Sequence, residues 1–210
     1  FTMNVDLVSD TGNNQTQYFL SQLAQKHSLW IVGGVVTTDS QGRGQNQAVV
    51  ISPEGLEVTR YTKMRPFCFH ERDKFSAGDH HVAFEWSGST VAPFICYDLR
   101  FPEIFRSAAR EEVEIIVVIA SWPVARIDHW IKLLQARAIE NQAIVIGVNR
   151  IGSDPSLSYN GQSLIADQAG HILLEAADAE GIFSAELNIH ELRDYRTRLP
   201  FLKDIHHYPA

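Results

Sequence analysis

The residue in this 210-residue sequence with the clearest chemical potential is Cys96, which ends an apolar run that begins at Val91. Such runs form buried strands, whereas Pro102 suits the first turn of a helix because its ring fixes φ near the helical value. Cys96 is therefore expected where a strand passes into a helix. The amides and positive end of that helix would stabilise a thiolate or an oxyanion, so this thiol could react as a nucleophile below the free-thiol pKa of about 8.5.

A cysteine in an apolar run also has a plainer interpretation, as a small core residue. On spacing alone both interpretations stay open, since the strand-to-helix position is the only evidence for a nucleophile. If Cys96 attacks an amide carbonyl, other groups must take its proton, stabilise the oxyanion and protonate the leaving ammonia. Lys63 is a candidate cation because it follows a predicted strand directly before an irregular loop, although most lysines are simply solvated.

The residues around these two positions resemble motifs of the carbon-nitrogen hydrolase (nitrilase-like) superfamily, in the order of that family. Residues 96–103 read CYDLRFPE and resemble its nucleophile motif, and residues 61–63 (YTK) resemble its lysine motif. The resemblance covers essentially the whole chain and is strongest to the omega-amidase branch. Further matching segments are Glu71 followed by Gly78, and residues 120–123, 129–142, 159–163, 193–196 and 199–200.

The resemblance implies catalytic roles for the matched residues. Cys96 would be the nucleophile. Lys63 and the backbone amide of Tyr97 would stabilise the tetrahedral intermediate, and loss of one such donor typically slows a reaction by about 10²- to 10³-fold. Glu71 would be a second carboxylate that orients the lysine, with a solvated surface position as the alternative.

Several neighbouring residues have less certain roles. Trp122 is either a pocket wall or a core aromatic residue, and Asp98 and Arg100 are expected to form a local ion pair that fixes the turn at the cysteine. A substrate that carries a carboxylate would suit an arginine partner. The candidates, which the sequence does not rank, are Arg65, Arg72 and Arg126.

The family's general base is a glutamate in a Pro-Glu motif just upstream of the point where this chain begins. The glutamates before Lys63 are Glu54, in a tight turn, and Glu57, and neither has that context, so the role is assigned to no residue here. Because the first residue is Phe1 rather than methionine, we expect the sequence to lack a preceding segment with this glutamate and the first strands. The alternative is a catalytically inactive form.

The hydrophobic pattern predicts the elements that must position these residues. Loops are predicted over 1–15, 64–78 and 152–159. The predicted helices span 16–27, 102–111, 127–142 and 189–198. The predicted strands span 29–36, 48–51, 56–61, 80–86, 90–96, 114–120, 144–148, 163–166, 172–174 and 182–187.

Strands that outnumber helices predict an α/β fold in which helices cover the outer faces of large sheets. The resemblance sharpens this prediction to a four-layer α-β-β-α sandwich of two mixed sheets. It also implies that copies pair through the helix at 127–142, which gives a homodimer or a larger homo-oligomer.

Composition limits the class of protein. The length and the 45% hydrophobic content suit a single domain over residues 1–210. The net charge of -7 argues against a nucleic-acid surface, and no apolar run approaches the ~20 residues of a membrane span. Two cysteines do not make a disulfide scaffold, so a reduced, cytoplasmic compartment is expected.

The predicted activity is thiol-dependent hydrolysis of a small, non-peptide amide through a thioester, with release of ammonia. The resemblance suggests omega-amides of 2-oxo acids, such as 2-oxoglutaramate or 2-oxosuccinamate, as substrates. The alternatives are an N-carbamoyl amidase or nitrilase, or a catalytically inactive binding subunit. A metal enzyme is a further class, but the spacings of His80, His81, His129, His206 and His207 match no usual ligand set, so neither a metal nor a cofactor is predicted.

Overall fold

The structure is a computed structural model that describes residues 14–69 and 71–206. The predicted loop over 1–15 lies almost wholly outside these residues, as do His70 and His207. The helices are α1 (Gln15–His27), α2 (Pro102–Arg110), α3 (Ile127–Asn141) and α4 (Ile189–Arg198). The strands are β1 (Ile31–Thr38), β2 (Gly44–Ile51), β3 (Glu57–Thr62), β4 (Phe84–Trp86), β5 (Ser89–Ile95), β6 (Ile115–Ala120), β7 (Ile144–Asn149), β8 (Ile151–Ser153), β9 (Ser158–Asn160), β10 (Leu164–Ala166) and β11 (Ile172–Glu175).

Two sheets organise the described part of the chain. The smaller sheet has the strand order β1-β2-β3 and is antiparallel. The larger sheet has the order β11-β10-β7-β6-β5-β4, with a parallel centre of β5, β6 and β7 and antiparallel strands outside it. The central strands are continuous apolar runs because helices or the other sheet cover both of their faces.

The sheets stack face to face with helices on their outer sides. Val50 of the smaller sheet packs with Val91 and Ile115 of the larger one in a shared core. On the outer side of the smaller sheet, α1 lies so close to β1 that a Cβ at Gly33 would stand 2.5 Å from a methyl carbon of Leu20. On the far side of the larger sheet, α3 packs against β7 and contacts α2. The predicted α-β-β-α sandwich is confirmed, although among the described strands only the larger sheet is mixed and the smaller one is antiparallel.

Some predicted elements differ from the structure. The strand expected at 182–187 is wrong: these residues run without strand pairing, and Ile182 and Phe183 are exposed. Their side chains suit a strand, but a strand also needs a neighbour that accepts and donates backbone hydrogen bonds, and no described strand pairs with them. The loop expected at 152–159 contains the β8–β9 hairpin, and the strand expected at 80–86 is limited to β4.

Within the described residues, no helix combines the length and apolar character that a membrane crossing requires.

Candidate active site

Cys96 lies on a sharp turn between β5 and a short 3₁₀ helix, Cys96–Arg100. Its φ of 47° falls in the left-handed region, which is strained for a residue other than glycine. The side chain is buried, and Sγ lies 3.9 Å from the backbone oxygen of Ser121, just beyond the end of β6. The turn therefore holds the thiol at the carboxyl edge of the parallel strands.

Lys63 directly follows β3, and its side chain is buried with only 1% of the residue exposed. Its Nζ lies 2.5 Å from Oε2 of Glu71, which is also buried. The Glu71 carboxylate accepts further hydrogen bonds from Asn46 Nδ2 at 2.8 Å and from the Phe67 backbone N–H at 2.6 Å. A buried charge pair is stable only where such additional bonds satisfy it, so the network fixes both side chains.

The glycine that follows Glu71 in the motif allows the loop to return to the lysine. The Gly78 N–H donates to the backbone oxygen of Lys63 at 2.9 Å. A Cβ at Gly78 would stand 2.2 Å from the backbone oxygen of Thr62, a contact that real Cβ atoms do not make. Only glycine therefore permits this approach without a shift of the strand end that carries Lys63.

Asp98 is fully buried and connects the lysine segment to the cysteine turn. Its carboxylate accepts from the Tyr61 hydroxyl at 2.8 Å, the Arg65 N–H at 2.9 Å and the Ile95 N–H at 3.1 Å. Tyr61 and Arg65 lie two residues to either side of Lys63, and Ile95 precedes Cys96. Burial raises the pKa of Asp98 to about 6, against the opposing charge of Lys63.

The expected ion pair between Asp98 and Arg100 is wrong, because the bonds to Tyr61, Arg65 and Ile95 occupy the carboxylate. The Arg100 guanidinium instead stacks on the Trp122 ring, with Cζ 4.7 Å from the ring centroid. Its Nη2 lies 3.2 Å from Nδ1 of His129.

The electrostatics of the thiol differ from the expectation of a thiolate stabilised by a helix end. Burial raises the pKa of Cys96, and the charge of Lys63 and the hydrogen bond to Ser121 oppose this rise only in part. The charges of Glu71 and Asp98 also act on the thiol and disfavour the thiolate. A base must therefore take the thiol proton before or during attack on a substrate.

Cys96 and Lys63 line a single cavity, whose walls include Phe67, Tyr97 and Trp122. The structure thus brings Cys96, Lys63 and Glu71 together, with Glu71 behind the lysine. Trp122 is at once a buried aromatic residue and part of this wall, so its two predicted interpretations do not exclude each other.

The structure separates the arginine candidates. Arg126 lines the cavity of Cys96, whereas Arg65 and Arg72 line a different, more open cavity beside Phe101. Arg65 also lies 3.4 Å from Glu103 in a surface ion pair. Arg100 lines the Cys96 cavity as well, although the sequence did not suggest it as a substrate contact. The sequence signal that could have indicated Arg100 as a cavity residue is its position four residues after Cys96, inside the nucleophile motif.

Sequence reasoning also missed Asn149, which holds the cavity wall from the end of β7. Its Oδ1 accepts from the Trp122 N–H at 2.6 Å, and its Nδ2 donates to the backbone oxygens of Trp122 at 3.0 Å and Gly161 at 2.7 Å. One buried amide therefore connects the 120–123 and 159–163 segments that the motif comparison had matched separately.

The histidines considered as metal ligands have separate surroundings. His80 contacts Asp79, His81 contacts Glu111, and His129 contacts Arg100. In the described part of the chain, no group of three or more His, Cys, Asp or Glu side chains could hold a metal ion.

Comparison with known proteins agrees with the motifs and with this geometry. The chain is 36% identical to the 2-oxoglutaramate amidase of Bacillus subtilis over 203 residues, which cover 96% of this chain and 78% of the relative. It is 37% identical to the omega-amidase YafV of Yersinia enterocolitica over 177 residues, which cover 83% and 68% of the two chains. The predicted resemblance to the omega-amidase branch is confirmed by these relatives.

A solved structure and a family model give the same assignment. XC1258 from Xanthomonas campestris, described as a CN-hydrolase superfamily protein with an arsenic adduct in the active site, superposes with a TM-score of 0.87 at 28% identity. The match covers 97% of this chain and 79% of that one. The carbon-nitrogen hydrolase family model matches residues 6–197. The chain belongs to the carbon-nitrogen hydrolase family.

Proposed function

We propose that the protein is an omega-amidase, which hydrolyses the terminal amide of a small 2-oxo acid through a thioester on Cys96. The observation that carries the proposal is the shared cavity of Cys96 and Lys63, with Glu71 hydrogen-bonded to the lysine. The names of two relatives, 2-oxoglutaramate amidase and omega-amidase, support this substrate class.

In the proposed reaction, Cys96 Sγ attacks the amide carbon while a base takes the thiol proton. The Lys63 ammonium and the Tyr97 backbone amide stabilise the resulting oxyanion. When the intermediate collapses, the carbon–nitrogen bond breaks and the nitrogen leaves as ammonia with the proton that the thiol gave up. Water then cleaves the thioester, which gives the carboxylate and restores the thiol.

The two carboxylates that act on the thiol are not proposed as this base. Glu71 accepts hydrogen bonds on both oxygens from Asn46, Lys63 and Phe67. Asp98 accepts on both oxygens from Tyr61, Arg65 and Ile95. Their proposed roles are to hold the lysine and to hold the turn, respectively.

The test is intact-protein mass measurement after incubation with a slowly turned-over amide, followed by peptide mapping. We expect the mass of one acyl group on Cys96 and none in C96S. C68S is the matched control because Cys68 is the other cysteine of the chain, and it should still form the adduct. An adduct on Cys68, or ammonia release that survives in C96S, would overturn the proposal.

The substrate class is tested by ammonia release from 2-oxoglutaramate, 2-oxosuccinamate, an N-carbamoyl amino acid and an aliphatic nitrile. We expect the first two to be preferred. Preference for either of the others would assign the protein to another branch, and no turnover of any of them would favour an inactive binding subunit.

We also propose that the protein acts in the cytoplasm as a homodimer or larger homo-oligomer through α3. The exposed Ile139 on α3 supports an apolar contact there. Sedimentation analysis of the unaltered protein and I139E tests the assembly, and a monomer at all concentrations would refute it.

A further inference from the structure

A second cavity, next to the one that contains Cys96, has three arginines in its wall. It encloses about 620 Å³ and is lined by Arg43, Arg65 and Arg72, and its described lining contains no Asp or Glu. A volume of this size is in the range that holds a small molecule. Because the chain as a whole carries a net charge of -7, a wall with this charge runs against the overall composition.

Backbone contacts hold two of the wall segments together. Arg43 lies in the turn between β1 and β2, and its Nη2 donates to the backbone oxygens of Phe75 at 2.8 Å and Arg72 at 3.4 Å. The next residue of the turn, Gly44, accepts at its backbone oxygen from the Ser76 N–H at 2.8 Å. These bonds connect the turn that carries Arg43 to the loop that carries Arg72.

Arg65 is held at the other side of the cavity, beside Phe101. Its Cζ lies 5.5 Å from the centroid of the Phe101 ring, and its Nη1 donates to the Met64 backbone oxygen at 3.3 Å. Its Nη2 lies 3.4 Å from the Glu103 carboxylate, but both side chains are exposed, so water screens this ion pair. Two of the three guanidinium groups are therefore positioned by the protein, which lowers the entropy cost of binding a ligand.

The positive charge of the wall is not balanced by nearby carboxylates. Asp39, in the same turn as Arg43, accepts from the Ser76 hydroxyl and from the backbone N–H groups of Gln41 and Arg43, so it is already satisfied within the turn. Arg72 is exposed, and among the described residues no hydrogen bond, ion pair or ring contact holds its guanidinium. The cavity therefore presents guanidinium groups that are available to an anion.

The rest of the wall is mainly apolar and indicates what else the ligand carries. It is formed by Pro66, Phe75, Ala77, Tyr97 and Phe101. Guanidinium groups bind phosphate through paired N–H donors, and a phosphate monoester carries up to two negative charges at neutral pH. Several arginines therefore suit a phosphate group, and the apolar wall suits an organic group attached to it.

We propose that this cavity is a binding site for a small phosphate ester. Arg43, Arg65 and Arg72 hold the phosphate group, and the organic part packs on Tyr97 and Phe101. The site is distinct from the cavity of Cys96, although Tyr97 forms part of both walls. The proposal does not depend on the proposed amidase activity, because it concerns binding alone.

The first test is equilibrium binding of phenyl phosphate, which combines the dianion with an apolar ring, measured by calorimetry on the whole chain. R72Q should weaken binding about 10-fold, the lower end of what a hydrogen bond to a charged group contributes, because Arg72 is exposed. R72K, which keeps the charge without the paired donors, should lose less. R126Q is the matched control, since Arg126 lines the cavity of Cys96 instead, and it should bind as the unaltered chain does.

The second test separates the two parts of the ligand. Inorganic phosphate lacks the ring and phenol lacks the dianion, so each should bind at least about 10-fold more weakly than phenyl phosphate. R72Q should unfold at the temperature of the unaltered chain, because its side chain makes no described contact that stabilises the fold.

The outcomes that would overturn the proposal are specific. Phenyl phosphate that fails to bind the unaltered chain, or binds R72Q and R72K equally well, would remove the site. A loss in R126Q as large as that in R72Q would place the ligand in the cavity of Cys96 and would also refute the proposal. Inorganic phosphate that binds as tightly as phenyl phosphate would refute the assignment to an ester.

Discussion

Replacement of Glu71 by glutamine is the perturbation that tests the buried ion pair most directly. The side chain keeps its size and loses only its charge. The hydrogen-bond pattern can also survive, because Asn46 Oδ1 is buried and has no partner among the described atoms. If the Asn46 side-chain amide rotates by 180°, its Oδ1 can accept a hydrogen bond from the NH₂ group of Gln at position 71. The side-chain carbonyl oxygen of that Gln can still accept from Lys63 and Phe67. E71Q therefore isolates the charge.

The magnitude follows from the burial of both partners. Removal of one member of a buried ion pair typically costs about 3–5 kcal/mol. With about 2–4 °C of Tm per kcal/mol for a chain of this size, the Tm should fall by roughly 6–20 °C. Loss of the ordered cation should lower kcat by roughly 10²- to 10³-fold.

The assays are thermal unfolding between pH 6 and 9, and ammonia release under saturating amide. E103Q is the matched control: Glu103 pairs with Arg65 across 3.4 Å at the surface, where an ion pair contributes at most about 1 kcal/mol. Changes in Tm and kcat for E71Q that are no larger than those for E103Q would refute the reasoning that this ion pair stabilises the fold and holds the proposed catalytic cation.

Three further predictions concern the groups that hold the site. The folded-state pKa of Asp98, about 6, lies above the ordinary 3.8, so its contribution to stability is present below about pH 4 and lost as the pH rises through about 6. D98N should remove this pH-dependent part of the free energy of unfolding, which amounts to at most about 3 kcal/mol. An unchanged slope of Tm against pH would contradict the raised pKa of Asp98. N149A should destabilise the protein by about 2–3 kcal/mol in urea melts, because it leaves the Trp122 N–H without its acceptor, and it should lower kcat/KM; unchanged kinetics would show that the wall does not need this amide. G78A should cost about 1–3 kcal/mol and reduce kcat, since the new methyl group would displace Thr62 and the adjacent Lys63. G181A, whose Cβ would meet only an ordinary contact 3.6 Å from Phe183, is its control, and equal effects in the two variants would contradict the steric argument.

The parts of the fold that follow from the sequence are those whose signal is local. The continuous apolar run of β6 can be predicted because burial on both faces leaves no polar alternation. The position of Cys96 follows from the change of pattern between β5 and α2. The strand predicted at 182–187 is wrong for the opposite reason. The strand preference of these side chains reflects how well they would pack on a sheet, whereas strand formation depends on a pairing partner that the local sequence does not contain.

The site could be predicted only as far as short motifs reach. The sequence placed Cys96 and Lys63 at element ends, but the contact of Glu71 with Lys63 depends on a loop that returns through Gly78. Asp98 and Arg100 lie two residues apart in one motif, which suggested that they pair with each other. The structure directs Asp98 to Tyr61 and Arg100 to the Trp122 ring, because residues two apart in a 3₁₀ helix of three residues per turn point to different sides.

The location of the site explains why it needs long side chains and buried carboxylates. Lys63 extends from the end of the smaller sheet and Cys96 from the end of the larger one, and stacked sheets are separated by about 10 Å. A lysine stem and a tyrosine ring can cross such a gap, and each meets a carboxylate there: Lys63 meets Glu71, and Tyr61 meets Asp98. Because Asp98 also accepts from Ile95 in the larger sheet and from Arg65 beyond the smaller one, any sliding of one sheet over the other would break bonds to a buried charge. That penalty keeps the lysine in register with the thiol.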